Sequence, residues 1–294
     1  MDGANLPYRK ELDGAVAAVL AAGSVVRAFY EGATAATYEK GDGSPVTDAD
    51  LAADRVIRQV LAEHFPTDPI LSEEGQDDDC RLGNARCWIV DPVDGTEQFI
   101  LRTGEFDVLV ALVEDGRPVA VAGYQPTTGL LVAAVRGGGA WMRRDNGEPE
   151  RIHLEPAGNE LRLATSKWFG APKNEAIVRA LAARLGIAAE NATVTGFSPR
   201  LFLPPRALDV MIGIRPGEDQ TMASEWDFAV TDLVIHEAGG VVTDLDGRQF
   251  HYNKPISRNA GGLIAAVDPI THARVTAAVR AECASSPLGG YAQP

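Results

Sequence analysis

The stretch Trp88-Ile89-Val90-Asp91-Pro92-Val93-Asp94-Gly95-Thr96-Glu97-Gln98-Phe99 places two carboxylates three positions apart, with a proline between them and a glycine behind. Its three leading apolar residues read as a buried strand. Pro92 fixes its own φ and restricts Asp91, so the pattern predicts that the strand stops and the chain turns there. Thr96, Glu97, Gln98, Phe99 and Ile100 can then start a helix. Two carboxylates at a strand end can hold a hard cation such as Mg²⁺. The first N–H groups of a helix can receive a phosphate. Side by side they describe metal-assisted chemistry on a phosphate group. The same string is also ordinary turn chemistry, so the stretch alone decides nothing and the rest of the chain must be weighed with it.

Composition narrows the choice. With 294 residues and 45% hydrophobic content, the chain can fill one large domain or two moderate ones. A net charge of -14 argues against a nucleic-acid polymer as partner, because there is no basic surplus to release counterions. A small anionic substrate remains compatible, since bound divalent cations reverse the local sign. Three cysteines, Cys80, Cys87 and Cys283, are too few and too irregular for a disulfide framework or a zinc site, which points to a reducing compartment, the cytoplasm by default. No apolar run long enough to cross a membrane is expected, and no secretory signal is visible.

The elements that must position the two aspartates follow from periodicity. Residues 7–30 read as a long amphipathic helix. Residues 31–45 read as a loop. A second helix begins at Val46-Thr47-Asp48-Ala49-Asp50, capped by Thr47 or Asp48 and ending at Phe65-Pro66, with Asp50 in its first turn. There Asp50 either complements the helix dipole or serves a site. Asp68–Glu74 is a short strand running into two adjacent glutamates, whose mutual repulsion calls for a cation. Residues 75–86 form an acidic surface loop. From Gly104 to Met142 the signal is an antiparallel meander, with turns at Asp115-Gly116, Pro126–Gly129 and Gly137–Gly139.

Residues 143–160 are polar, with Pro149 and Pro156, and mark a boundary between residues 1–155 and 156–294. Beyond it strands (161–165, 192–195, 208–214, 241–243, 244–247 and 263–267) alternate with helices (175–185, 226–238 and 268–283). Asp227 falls at a helix start, and Gly239-Gly240 closes that helix. The tail, Ser285–Pro294, reads as loose.

Taken in order, Ser44-Pro45-Val46-Thr47-Asp48-Ala49-Asp50, Glu73-Glu74, Asp91-Pro92-Val93-Asp94-Gly95-Thr96, and Glu225-Trp226-Asp227 with Glu237-Ala238-Gly239-Gly240 resemble the inositol monophosphatase family of Mg²⁺-dependent, often lithium-sensitive phosphatases. The resemblance spans roughly residues 10–280. It implies an α+β (α/β) fold, a layered αβαβα sandwich in two parts, with the second contributing Asp227, the active site at their junction and residues 31–45 as a lid. It implies that Glu73, Asp91 and the Val93 carbonyl hold one Mg²⁺, and that Asp91, Asp94 and Asp227 hold a second, with a weaker third ion near Asp50. It assigns Glu73, Thr96 and Asp50 to orienting or activating water, and the N–H groups of Gly95 and Thr96 to the substrate phosphate.

No covalent intermediate is required, and the chain has no Gly-x-Ser-x-Gly turn. Its histidines (His64, His153, His236, His251 and His272) are scattered and read as surface or packing residues. A non-catalytic phosphate-ligand sensor is disfavoured because every position of the implied metal set is filled. Homodimers are common in such a family, and nothing in the sequence fixes the assembly.

The flanks Gly95-Thr96-Glu97-Gln98-Phe99-Ile100 and Arg102-Thr103-Gly104-Glu105-Phe106 look most like the 3'(2'),5'-bisphosphate nucleotidase branch, with adenosine 3',5'-bisphosphate as the expected small phosphorylated metabolite. Inositol phosphate or histidinol phosphate is the alternative. Gln220 stands where inositol-specific members carry a glutamate, and Glu97 stands where the nucleotidase branch carries a lysine. Ser166, Lys167 and Arg200 are the expected substrate contacts, the two cations compensating for Glu97. The competing reading of Lys167 and Arg200 is simple solvated charge.

Overall fold

A computed structural model describes residues 6–285 except 33, 34, 42, 78, 168 and 215–220. Gln220 and the 286–294 tail therefore lie outside the described residues. Along the chain, α1 (Arg9–Gly32) precedes a hairpin of β1 (Thr37–Glu39) and β2 (Pro45–Thr47), then α2 (Asp48–His64). There follow β3 (Ile70–Ser72), β4 (Arg86–Asp94), α3 (Thr96–Ile100), β5 (Asp107–Glu114), β6 (Arg117–Gln125), β7 (Leu130–Val135), β8 (Gly139–Arg144) and β9 (Glu150–Ile152). Then come β10 (Leu163–Thr165), α4 (Glu175–Leu185), β11 (Ala192–Val194), β12 (Val210–Gly213) and β13 (Thr221–Ser224). The last elements are α5 (Glu225–Glu237), β14 (Val241–Thr243), β15 (Arg258–Ala260), β16 (Leu263–Ala266) and α6 (Pro269–Ser285).

Two compact units result. The first comprises Met1–Ile152, Glu225–Glu237 and His251–Ile256, and the second His153–Ser224, Ala238–Phe250 and Ser257–Pro294. A single cut at 155/156 would assign α5 to the later part. The structure instead groups α5 with the first unit, because its apolar face packs against β4 to β8.

The first unit is built on a seven-stranded sheet ordered β3-β4-β5-β6-β7-β8-β9, parallel only between β3 and β4. Strand alternation explains its two faces. Trp88, Val90, Val108, Val110 and Leu112 join Leu12, Ala15, Val19, Ala53 and Ile57 of α1 and α2 in one apolar cluster. The alternate residues face α5: a Cβ at Gly123 would stand 3.4 Å from Val230 and 3.1 Å from Leu109. Asp91 shares the parity of Ile89, so it emerges on the α5 face.

In the second unit β11-β10-β12-β16-β14 form a five-stranded mixed sheet, and β13 pairs with β15. Leu181, Leu185, Val275 and Val279 of α4 and α6 close over Val210, Ile212 and Ile264. The layered α+β class expected from the sequence is the one observed.

Several local expectations are corrected. The strand does not stop at Pro92: β4 runs on to Asp94, and its pairing slips between Asp91↔Leu109 and Asp94↔Asp107. Two residues there, Pro92 and Val93, oppose one, Val108, a bulge that accommodates a proline with no N–H to donate. Residues 31–45 contain β1, which pairs with β2 from Thr37↔Thr47 to Glu39↔Pro45. Its three residues are all exposed, so periodicity left no trace. Residues 143–160 contain β9, an edge strand too short and polar to read. The 244–247 segment is a turn, with Asp244 Oδ1 accepting the N–H groups of Asp246 and Arg248. By length and composition α1 is apolar enough to cross a membrane, contrary to the sequence expectation. Alanine and glycine supply much of its apolar length, so no long run of large apolar side chains marks it. Its buried stripe (Leu12, Ala15, Val19, Ala22 and Val26) lies in the core of this unit.

Candidate active site

The bulge re-aims the end of β4. Asp91 is 1% exposed, and its Oδ1 accepts the Val93 N–H at 3.0 Å, which folds the Pro92 corner back on the carboxylate. Gly95 follows with φ +97°, where a Cβ would meet the Glu105 carbonyl at 3.0 Å, so only glycine fits. That corner delivers Thr96 to the first position of α3, a helix of only five residues. Thr96 Oγ1 donates to Asp50 Oδ1 at 2.8 Å and lies 3.2 Å from the Val93 carbonyl oxygen.

Asp50 arrives by a different route. Thr47 caps α2, its hydroxyl accepting the Ala49 N–H, while Asp50 Oδ2 accepts from the Thr47 N–H at 2.9 Å and hydroxyl at 2.5 Å. This capping box makes Asp50 a local helix device and, through Oδ1, a partner of Thr96. Burial pushes the Asp50 carboxyl above its ordinary range, and the hydroxyls of Thr47 and Thr96 pull it partly back.

Carboxyl oxygens of Asp91, Asp94 and Asp227 lie within 4.8 Å of one another. Asp227 reaches this point from the first turn of α5, which packs against β4. Burial first, then the charges of Glu73, Asp94 and Asp227 and a hydrogen bond to Glu73, holds the Asp91 carboxyl well above the usual carboxylate range. A fully buried carboxylate among like charges calls for a compensating cation. The donors are all hard oxygens, which suits a small divalent ion.

Glu73 stands beside Asp91, its N–H donating to the Val90 carbonyl at 3.1 Å. Its side chain is also engaged by a residue that sequence reasoning missed. Lys40 Nζ, on the segment after β1, lies 2.7 Å from both Glu73 Oε1 and Glu74 Oε1. Burial pulls the Lys40 ammonium down, but the two glutamates outweigh it and hold its pKa above the ordinary value. Burial likewise pushes the Glu74 carboxyl up to about 7, against the opposing hydrogen bond from Lys40. The signal was present in the sequence as two adjacent glutamates requiring a cation; which lysine answers it depends on the β1–β2 hairpin.

Glu97 is exposed on α3. Ser166, Lys167 and Arg200 belong to the second unit. Ser166 is buried, and its hydroxyl accepts the Phe169 N–H at 3.3 Å, bracing the turn after β10. Lys167 is exposed there, and Arg200 sits in a short 3₁₀ turn, Pro199–Leu201. Among the histidines, His272 is buried, with Nε2 2.9 Å from Thr243 Oγ1.

Comparison with known proteins agrees with this geometry. A profile described as the inositol monophosphatase family matches residues 8–283. A 3'(2'),5'-bisphosphate nucleotidase CysQ from Aggregatibacter actinomycetemcomitans is 32% identical over 79% of this chain and 84% of its own. A histidinol-phosphatase from Mycobacterium tuberculosis is 32% identical over 71% of this chain and 77% of its own. The crystal structure of CysQ from Bacteroides thetaiotaomicron superposes with a TM-score of 0.71 at 30% identity, covering 90% of this chain and 99% of the other. With the carboxylate cluster at the end of β4, the Asp50–Thr96 pair and a family match across nearly the whole chain, this protein belongs to the inositol monophosphatase family of phosphatases.

Proposed function

We propose that this chain is a Mg²⁺-dependent 3'(2'),5'-bisphosphate nucleotidase that removes the 3'-phosphate of adenosine 3',5'-bisphosphate and is inhibited by Li⁺. The observation that carries the catalytic part is the convergence of Asp91, Asp94 and Asp227 beside the Thr96–Asp50 hydrogen bond. In this reading Asp91, Asp94 and Asp227, with Glu73 and the Val93 carbonyl, hold two Mg²⁺ ions, and a third binds weakly near Asp50. When bound, Mg²⁺ supplies an acidified water as nucleophile and neutralises phosphate charge.

The chain's own groups do the positioning. Thr96 Oγ1 donates its hydrogen bond to Asp50 Oδ1, which leaves its lone pairs to accept a hydrogen bond from the attacking water, so that a proton taken up by Thr96 is matched by one passed on to Asp50. Asp50, with its carboxyl raised by burial, can hold a proton nearer neutrality than an exposed carboxylate can. The Gly95 corner brings the N–H groups of Gly95 and Thr96 to the phosphate, because the first N–H groups of a helix have no partner within it. Ser166, Lys167 and Arg200 are the proposed contacts to the rest of the substrate, offsetting the charge of Glu97. The buried, reduced thiol of Cys87 is in keeping with a reducing cytoplasm.

The nucleotidase branch is preferred because Gly95–Ile100 and Arg102–Phe106 carry its pattern, and because relatives of that name match most of the chain. The Mycobacterium tuberculosis relative favours histidinol phosphate as the second reading. Phosphate release from adenosine 3',5'-bisphosphate, inositol 1-phosphate and histidinol phosphate, each with Mg²⁺ and with added Li⁺, tests the assignment. The highest kcat/KM is expected on the nucleotide. Faster turnover of either alternative overturns the substrate, and no Mg²⁺-dependent release from any phosphomonoester overturns the reading as a whole.

A further inference from the structure

Asp227 can complete a metal centre only if α5 keeps its register along β4, yet the chain enters and leaves α5 through segments of the other unit. Apolar packing, such as Val230 against Gly123 and Leu109, holds the helix to the sheet but is non-directional. At the Asp227 end of the helix, directional ties come from the short segment Tyr252-Asn253-Lys254, while at the far end Glu237 accepts the N–H groups of Gly137 and Gly139 at 2.8 Å each, and Asp232 also meets Arg117 Nη1 at 3.5 Å. Asn253 donates its N–H to Glu225 Oε2 at 2.7 Å, and Lys254 donates its N–H at 3.1 Å and its ammonium at 2.5 Å to Glu225 Oε1. Farther along the helix, Tyr252 Oη donates to Asp232 Oδ2 at 2.8 Å. The segment is itself fastened to the sheet and the loop before β4. Tyr252 donates its N–H to the Gly116 carbonyl at 3.0 Å. Asn253 exchanges hydrogen bonds with Arg81, accepting from Nη1 at 2.8 Å and donating to the Arg81 carbonyl at 3.2 Å.

Glu225 and Asp232 are both 0% exposed, and they flank Asp227 on the same helix. A buried carboxylate is a poor way to add stability, since an apolar residue of similar volume serves as well or better. What it adds is direction. Glu225 lies two residues before Asp227, about 3 Å along the helix axis at the usual rise. A displacement at Glu225 is therefore handed to Asp227 nearly undiminished. Mg²⁺ tolerates little such error, because it demands near-ideal octahedral geometry.

We propose that Glu225, gripped by Asn253 and Lys254, is the positioning residue that sets Asp227 in register with Asp91 and Asp94, with the Asp232–Tyr252 bond as a second tie. The inference rests on the reading of those three aspartates as a metal centre. Its signature is a loss of metal affinity with the fold retained.

Calorimetric titration of Mg²⁺ into the full chain, paired with melting of the metal-free protein, tests it. Glu225→Gln and Lys254→Met are each expected to weaken Mg²⁺ binding by about tenfold or more, the usual effect of removing the support behind a metal ligand. Lys254→Arg, which keeps the charge, recovers most of that affinity, and Tyr252→Phe costs a few-fold. At saturating Mg²⁺ the KM for the phosphate ester stays at the wild-type value. If Glu225→Gln does not fold, Lys254→Met, which leaves both backbone donors on Glu225, carries the test. A wild-type protein that binds Mg²⁺ while the folded variants bind it equally tightly overturns the positioning role alone. A wild-type protein that binds no divalent ion overturns the metal centre and this inference with it.

Discussion

Asp91→Asn should stabilise the metal-free protein and abolish its response to metal. The Asp91 side chain is 1% exposed, and its carboxyl oxygens lie within 4.8 Å of those of Asp94 and Asp227. Two unit charges at that separation repel by about 3.5 kcal/mol at an effective dielectric of about 20. Protonation of Asp91 and the Lys40 ammonium on Glu73 remove part of this, leaving a relief of about 2 kcal/mol on neutralisation. Asparagine also fits the site. Its Oδ1 can keep the Val93 N–H, and its amide can donate to Glu73, which already shares a hydrogen bond with this position. For a unit of this size, about 2 kcal/mol raises the melting temperature by about 4–8 °C.

Metal acts the other way round. A single Mg²⁺ present at a hundred times its dissociation constant stabilises the wild type by about 2.7 kcal/mol, or about 5–11 °C. The variant, lacking the carboxylate that the proposed reading places at the metal centre, gains little. Differential scanning calorimetry of both proteins in EDTA and in excess Mg²⁺ should therefore show the two melting temperatures changing order. A variant that melts below wild type in EDTA, or that keeps the full Mg²⁺ shift, refutes the electrostatic account of this site.

Three further outcomes are expected. Thr96→Val should lower kcat by about a hundredfold or more with KM little changed, as for loss of a group in proton transfer, while Thr96→Ser restores most of the rate in steady-state phosphate release. Gly95→Ala forces a Cβ onto φ +97° against the Glu105 carbonyl and should cost about 1–3 kcal/mol in urea unfolding; an unchanged midpoint would show that the corner yields. Burial pulls the His236 imidazole down, but its hydrogen bond and attraction to Asp232 win, so its pKa lies above 6.5. A folded-state pKa above the unfolded one means that the His236 contribution is complete below pH 6.5 and fades as the pH rises through the folded value. Urea midpoints of wild type and His236→Gln should accordingly differ most at pH 5.5 and converge by pH 8.5; a constant difference would count against this pairing.

Much of the site was legible because its signals are local. The Asp-Pro-x-Asp-Gly string, the cap at Thr47 or Asp48 with Asp50 in the first turn, and the Asp227 helix start each lie within a few residues, where turn chemistry and helix capping act. The meander was equally plain, since its strands alternate about tight glycine turns. Tertiary structure alone decided what depends on distant partners. It carried β4 through Pro92 on a bulge, because β5 could slip its register to accept it. It brought Lys40 to Glu73 and Glu74 across the β1–β2 hairpin, and it joined α5 to the sheet of the first unit from far along the chain. Residue type and spacing specify which groups can do chemistry. Which of them meet is set by burial of apolar faces and by hydrogen bonds between segments remote in sequence, and no local pattern encodes those.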